Sequence, residues 1–246
     1  MKHYYYSALF LAATLFISCQ NSPKKPEAAT SETAEATTIE WQNLIQPNSF
    51  DGWHYYQNDA SKKGWSIEDG VLTFNSEMAE GEGDKSLVTD QEFENFEIQF
   101  EWKVSPGANS GFMWGVNESE AYEYPFNTGP EIQILDPEVY KGDAANQVHI
   151  AGALYDMIAP SQMVTKPAGE WNSYHITINQ EANEGIVVHN GVEINRFPLH
   201  GPEWDAMVAN SKFANWEGFG KYRKGSLSIQ DHPGIISYRN MKVREL

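Results

Sequence analysis

NFEIQFEWKVSPGANSGFMWGV, residues 95–116, followed after an acidic and aromatic loop by PEIQILD, residues 130–136, decides the fold. Ile98, Phe100, Trp102 and Val104 alternate with Glu97, Gln99, Glu101 and Lys103, the period-two pattern of a strand with one face in a core and one facing water. The turn SPGANSG puts Pro106, Gly107 and Gly111 where fixed and permissive backbone angles are needed, and residues 112–116 resume as a second strand. In PEIQILD, Glu131 and Gln133 fall on one side and Ile132 and Ile134 on the other, which sets a carboxylate and an amide about 7 Å apart along the strand. A substrate is expected to sit there.

Outward from this stretch, hairpin signals recur. Asp69-Gly70 separates Trp65 and Ile67 from Val71 and Phe74, and Asn190-Gly191 in GIVVHNGVEINRF is a strong short-range turn signal. Residues 171–179 alternate Tyr174, Ile176 and Ile178 against Ser173, His175 and Thr177, and AGALYDMI, residues 151–158, reads as a short strand. Residues 77–85 are polar and Gly-rich, hence loop. The loop at 118–129 carries Tyr122, Tyr124 and Phe126, whose rings must be buried against something. Only residues 200–225 have helical flavour, predicting a short helix and an excursion before the last strands. Roughly ten to twelve strands, few helices and frequent turn signals predict an all-β, two-sheet sandwich or jelly roll. Propeller and solenoid repeats are absent, so residues 39–246 are read as a single β-sandwich domain.

A chain of 246 residues with 41% hydrophobic content can build a sizeable core. Its formal net charge of −17 repels a phosphate backbone, which excludes nucleic acid and favours a neutral or cationic partner. Eight Trp, twelve Tyr and twelve Phe exceed what a core needs and favour flat apolar surfaces offered to a ligand. Residues 1–18, with Lys2 and His3 ahead of a short apolar run, read as an export signal. Phe16-Ile17-Ser18-Cys19 resembles a bacterial lipobox, so the sole cysteine, Cys19, is the expected lipidation point and the expected route to a membrane, on the periplasmic or outer-membrane face. Residues 19–38, rich in Ala, Thr, Glu, Ser and Pro, read as a flexible tether. A single cysteine allows no disulfide framework.

With these segments placed, the chain resembles the 3-keto-disaccharide hydrolase family, formerly a domain-of-unknown-function family, frequent among Bacteroidetes lipoproteins. The resemblance rests on WQNLIQPNSFDGWH, DGVLTF, FEIQFEWKV, ANSG, EIQILD, HIAGALY, PAGEWNSYHI, HNGVEI and SIQDHPGIISYRNMKVREL, in that order, and covers nearly the whole mature chain. His189, where such hairpins often carry an apolar residue, and the long excursion at 200–225 depart from the pattern. The resemblance implies a concanavalin A-like jelly-roll sandwich with a sugar on its concave sheet, and cleavage of glycosides or disaccharides oxidised at C3. A ketone at C3 acidifies the C2 hydrogen, so a base removes it, the enediolate expels the C1 substituent, and water adds back. One base, one acid and a stabiliser of the enolate oxygen suffice.

For that chemistry Glu131 is the first candidate, as base or as ligand of a cation polarising the ketone, and His149 and His232 are candidates for proton transfer near neutral pH. Glu101, Gln99, Asn109, Gln133, Tyr155, Gln230 and Arg239 are candidate substrate contacts. Arg239, read as sharing a strand face with Met241 and Val243, must find a carboxylate or carbonyl, and a structural ion pair is its alternative role. Zinc signatures are absent, while scattered Glu, Asp, Asn and His leave room for a Ca²⁺ or Mn²⁺ site, and no organic cofactor is expected. Two other readings remain open: a non-catalytic carbohydrate-binding module, and a conventional glycoside hydrolase with two carboxylates facing each other across a groove.

Overall fold

The computed structural model describes Met1 and residues 40–57, 63–81 and 83–246. The expected signal segment, the lipidation point at Cys19 and the tether lie outside the described residues. In chain order the strands are β1 (Gln42–Asn43), β2 (Trp53–Tyr55), β3 (Trp65–Glu68), β4 (Val71–Asn75), β5 (Leu87–Phe93), β6 (Phe96–Val104), β7 (Asn109–Val116), β8 (Glu131–Leu135), β9 (Asn172–Asn179), β10 (Glu184–His189) and β11 (Val192–Phe197). The helix α1 (Pro202–Ala209) precedes β12 (Gly225–Ile229) and β13 (Ile235–Glu245).

These strands form two antiparallel sheets. The larger runs β11-β10-β9-β6-β13-β4-β3 with β1 added along β13, and the smaller runs β2-β5-β12-β7-β8. Alternation decides which side of each strand is buried: Ile98, Phe100 and Trp102 of β6 and Tyr174, Ile176 and Ile178 of β9 face inward, where they meet Phe112 of β7 and Ile132 and Ile134 of β8 in one core. Phe100 and Phe112 stand 5.5 Å apart across the layers. Two hydroxyls stitch the sheets together, Tyr174 donating to the Gln133 carbonyl at 2.8 Å and Ser110 lying 2.7 Å from the Tyr238 hydroxyl. His189 is also inside, 4.7 Å from the Tyr174 ring, and burial pushes its pKa down to about 3, so it packs as a neutral ring.

Both expected hairpins form, and in each turn the two central residues take positive φ: Asp69 (51°) and Gly70 (76°), then Asn190 (48°) and Gly191 (83°). Two expectations change. AGALYDMI is not a strand but a series of turns, with Gly152 and Asp156 at positive φ, held along the free edge of β8. Gly152 donates to Gln133, Gln133 to Ala153 and Tyr155 to Glu131, so the segment satisfies an edge that would otherwise stand open. Arg239 does not share a face with Met241 and Val243, because Asn240 takes φ 53° and the pairing with β6 shifts register between Arg239 and Lys242. The extra residue turns Arg239 outward while Met241 and Val243 stay in the core.

Candidate active site

The outer face of the smaller sheet is built by register. Met113 pairs with Glu131 and Gly111 with Gln133, while Ser228 pairs with both Met113 and Val88, so these side chains share the side away from the core. Its apolar part, Tyr56, Val88, Met113 and Val116, forms a second small cluster with Phe126 from the aromatic loop packed against it. In that loop Tyr124 and Phe126 stack at 4.9 Å, and Phe126 meets Trp216 of the later excursion at 6.0 Å. The two excursions thereby roof one end of the face. Beside them lies a cavity of about 510 Å³ lined by Asn109, Glu131, Gln133, Tyr155, Gln230 and His232, together with Asp84, Asp231, Lys212, Tyr124, Phe126 and Phe213.

Glu131 is the most unusual side chain in it. Only 8% exposed, its carboxyl group lies across Gly111 on the neighbouring strand, where a Cβ would stand 2.5 Å from the carboxyl carbon. Glycine at 111 is what lets the carboxylate lie there. Burial pushes the Glu131 pKa up to about 7, against the positive charge of Lys212. The Lys212 ammonium rests 4.2 Å from the centre of the Tyr155 ring, and burial lowers its pKa against the pull of Glu131 and Asp156. The Tyr155 phenol is raised by burial first and then by Glu131.

Around this trio the cavity carries amides. Gln133 is buried on β8, and Gln230 at the end of β12 donates its backbone N–H to Gly111. Asn109 opens β7, its Oδ1 buried with no partner among the described residues and its Nδ2 3.4 Å from His232 Nε2. Protein packed along one side of His232 lowers its pKa, against the opposing charge of Asp231. Among the described residues no three His, Cys, Asp or Glu side chains are disposed to hold a metal ion.

Four of the sequence candidates stand elsewhere. His149 does not line the cavity: its Nε2 is 2.8 Å from Asp156, its Nδ1 is 3.0 Å from Asn146, and its ring lies 4.9 Å from that of Tyr155. Asp156 also accepts the backbone N–H of Lys212 at 2.6 Å. His149 is therefore a buttress behind Tyr155 and Lys212 rather than a group that meets substrate. Gln99, Glu101 and Arg239 lie on the outer face of the larger sheet, on the far side of a sandwich whose layers pack about 10 Å apart. There Arg239 donates to Glu101 from Nε at 2.8 Å, the structural pair the sequence offered as its alternative.

The sequence reading missed Asp84, Asp231, Lys212 and Phe213. Asp231 had a signal, since it lies between Gln230 and His232, both already candidates. Asp84 and Lys212 had none, being single charges in loops without period.

Comparison with known proteins bears on the family and the fold. Residues 40–244 match the 3-keto-alpha-glucoside-1,2-lyase-like domain. The chain is 28% identical, over all of its own length and 99% of the other's, to a protein of Bacteroides thetaiotaomicron named 3-keto-disaccharide hydrolase. Two crystal structures of Parabacteroides distasonis proteins, described provisionally as glycosyl hydrolases, superpose with TM-scores of 0.75 and 0.62 at 28% and 27% identity. Each covers 84% of this chain, and 94% and 100% of its counterpart respectively. A Bacillus subtilis protein with a galectin-like fold, 10% identical at a TM-score of 0.50 over 84% of this chain and 94% of that one, shares the fold alone. With nearly every described residue inside the matched span, the chain belongs to the 3-keto-alpha-glucoside-1,2-lyase-like family.

Proposed function

We propose that the protein is a glycoside-cleaving hydrolase for glycosides and disaccharides oxidised at C3, and that it opens them by elimination followed by hydration. One observation carries the mechanism: a buried carboxylate, Glu131, poised near neutral pH with an ammonium and a phenol in the same cavity. Likeness to a 3-keto-disaccharide hydrolase supports the substrate class.

In the first step Glu131 takes the C2 hydrogen and the released electron pair forms the C2=C3 enediolate. The Lys212 ammonium and the Tyr155 hydroxyl face the growing charge on the C3 oxygen. The pair then reforms the ketone, closes the C1=C2 bond and expels the C1 oxygen with its substituent. Water adds at C1 and a proton returns to C2, which completes net hydrolysis. The amides of Gln133, Gln230 and Asn109 suit hydroxyl groups, and the uncharged His232 at the rim suits the proton of the incoming water. Export with lipid attachment at Cys19 belongs to the same proposal; Cys19→Ser should move the protein from the membrane to the soluble fraction.

A 3-keto-β-glucoside with a chromogenic leaving group should be cleaved while the parent glucoside is inert, and turnover in heavy water should leave deuterium on C2. Equal inertness of both sugars would remove the enzymatic claim. A second reading has an observation behind it: Asp84 and Asp231 share the cavity with Glu131, so a two-carboxylate glycosidase is the competitor. It predicts cleavage of the parent glucoside and no deuterium at C2.

A further inference from the structure

Elimination leaves an alkoxide that needs a proton, and the first-choice donors fail on position or charge. His149 stands outside the cavity, and His232 has its pKa lowered, leaving it uncharged near neutral pH. Tyr155 is engaged at the C3 oxygen in the reaction described above. Lys212 is engaged there as well, and a further acid is a pair of carboxyl groups that the register of the smaller sheet brings together. Leu87 and Ile229 are paired, so the residues ahead of β5 and those after β12 emerge side by side, carrying Asp84 and Asp231 into the cavity wall.

Ser86 holds both. Its backbone N–H donates to Asp84 Oδ1 at 2.9 Å and its hydroxyl to Asp231 Oδ1 at 3.0 Å. The lysine in between is spent elsewhere, since Lys85 Nζ donates to the carbonyls of Gly81 and Gly83 at 3.0 and 2.9 Å. Among the described residues, Tyr55, Tyr56, Tyr124 and His232 are the other titratable groups that sense the pair, and none of them brings a fixed positive charge. Two carboxyl groups bound to the same Ser86, with no cation beside them among the described residues, keep one proton between them. Consistent with that, burial followed by the charge of Asp231 pushes Asp84 up to about 7.

We propose that the Asp84–Asp231 pair is the acid that protonates the departing C1 oxygen, Asp84 giving the proton and Asp231 keeping it there beforehand. The proposal rests on the elimination reading. As the C1–O bond breaks and its electrons stay with oxygen, the O–H bond of Asp84 breaks and a new O–H bond forms on the leaving group. Asp84 is left as a carboxylate, which is reset when His232 hands on the proton it takes from the water that later adds at C1. Glu131 and Asp84 thus exchange no proton with each other and act on different bonds.

The test compares two 3-keto-β-glucosides, one with a 4-nitrophenyl and one with a methyl aglycone, with wild-type protein, Asp84→Asn and Asp231→Asn in heavy water. Asp84→Asn should lose about 100-fold or more on the methyl glycoside and no more than about threefold on the nitrophenyl one, because nitrophenolate departs unaided. Recovered methyl glycoside should still gain deuterium at C2, since proton abstraction by Glu131 is intact. Asp231→Asn should keep activity at low pH and shift the descending limb of the pH profile downward, which loss of a merely structural contact would not do. Equal losses on both aglycones, or none on either, would overturn the assignment, as would an unmoved descending limb in Asp231→Asn. A wild-type product without deuterium at C2 would instead sink the elimination reading, whatever the variants do.

Discussion

Glu131 on β8 and Glu101 on β6 hold the same place in the sequence pattern, each the polar member of an alternating strand, and the sandwich treats them oppositely. Glu101 stays on the open outer face of the larger sheet, where Arg239 donates at 2.8 and 3.3 Å and Asn240 at 2.5 Å; the Arg239 bond in particular lowers its pKa. The whole neighbourhood is matched in charge: Arg244 pairs with Glu97 at 2.7 Å, and Arg239 and Lys103 lie over the Trp171 ring at 4.1 and 4.8 Å. Glu131 is buried beside two loop excursions, and the opposing charge of Lys212 sits against an aromatic ring. A hydrated, ion-paired carboxylate is finished as an acid or base near neutral pH, whereas a buried one is held where it titrates. Polarity of the residue does not separate these cases; what covers the sheet does.

Exchanging the two residues' fates is the strongest way to break the comparison. Glu131→Gln should lower kcat on a 3-keto glycoside by about 10³-fold, within the span of a lost general base, while Glu101→Gln should leave it within about twofold. The same carboxylate sets a pH signature. Because Glu131 must be ionised to act, kcat/KM on the nitrophenyl 3-keto-glucoside, whose leaving group needs no acid, should rise with pH through about 7. Stability should move the other way: with the folded pKa about 7 and the ordinary value 4.5, the folded state binds the extra proton between those values, so stability falls as pH rises through them. That cost approaches roughly 3 kcal/mol, and Glu131→Gln should remove it, raising Tm at pH 8 by several degrees. A Tm unchanged by Glu131→Gln at pH 8 would mean that the carboxylate is not strained by burial at all.

Gly111 sharpens the comparison by a smaller step. Alanine there would press its methyl into the Glu131 carboxyl group and displace it without removing it. A shift of the order of 1 Å in a catalytic group costs about 10²-fold, so Gly111→Ala should lose about that much in kcat and move the ascending limb of the pH profile as the carboxylate regains water. If activity fell but the limb stayed near 7, the glycine would matter for some reason other than seating Glu131.

How far the sequence foretold this depends on the range over which each feature is encoded. The inward faces of β6 and β9 and both positive-φ hairpin turns were legible because period two and turn chemistry are local. AGALYDMI was misread because residues that cover the open edge of β8 need the same apolar composition as residues in a strand. The facing of Arg239 was inverted by one residue, Asn240, whose bulge leaves no mark in the alternation before it. Glu131, Gln133 and Gln230 could be picked out as polar members of strands and their ends. Asp84 and Lys212 could not, because their place in the cavity comes from loops folding back over a sheet assembled from distant segments.

The smallest effect belongs to the larger sheet's matched surface. Arg239→Met breaks the bond to Glu101 where the two side chains are 37% and 30% exposed, so water replaces much of what is lost and the change in stability should stay within about 1 kcal/mol. Its sign with pH is opposite to that of Glu131. A carboxylate whose folded pKa is lowered contributes its stability above the ordinary value of 4.5 and loses it as pH falls through the folded value, so the difference between wild type and Arg239→Met should be full at pH 7 and vanish in acid. Activity on the 3-keto glycoside should be unchanged. If Arg239→Met instead raised KM several-fold at constant Tm, the two faces would not be independent, and the outer side of the larger sheet would have to be counted as part of the sugar site.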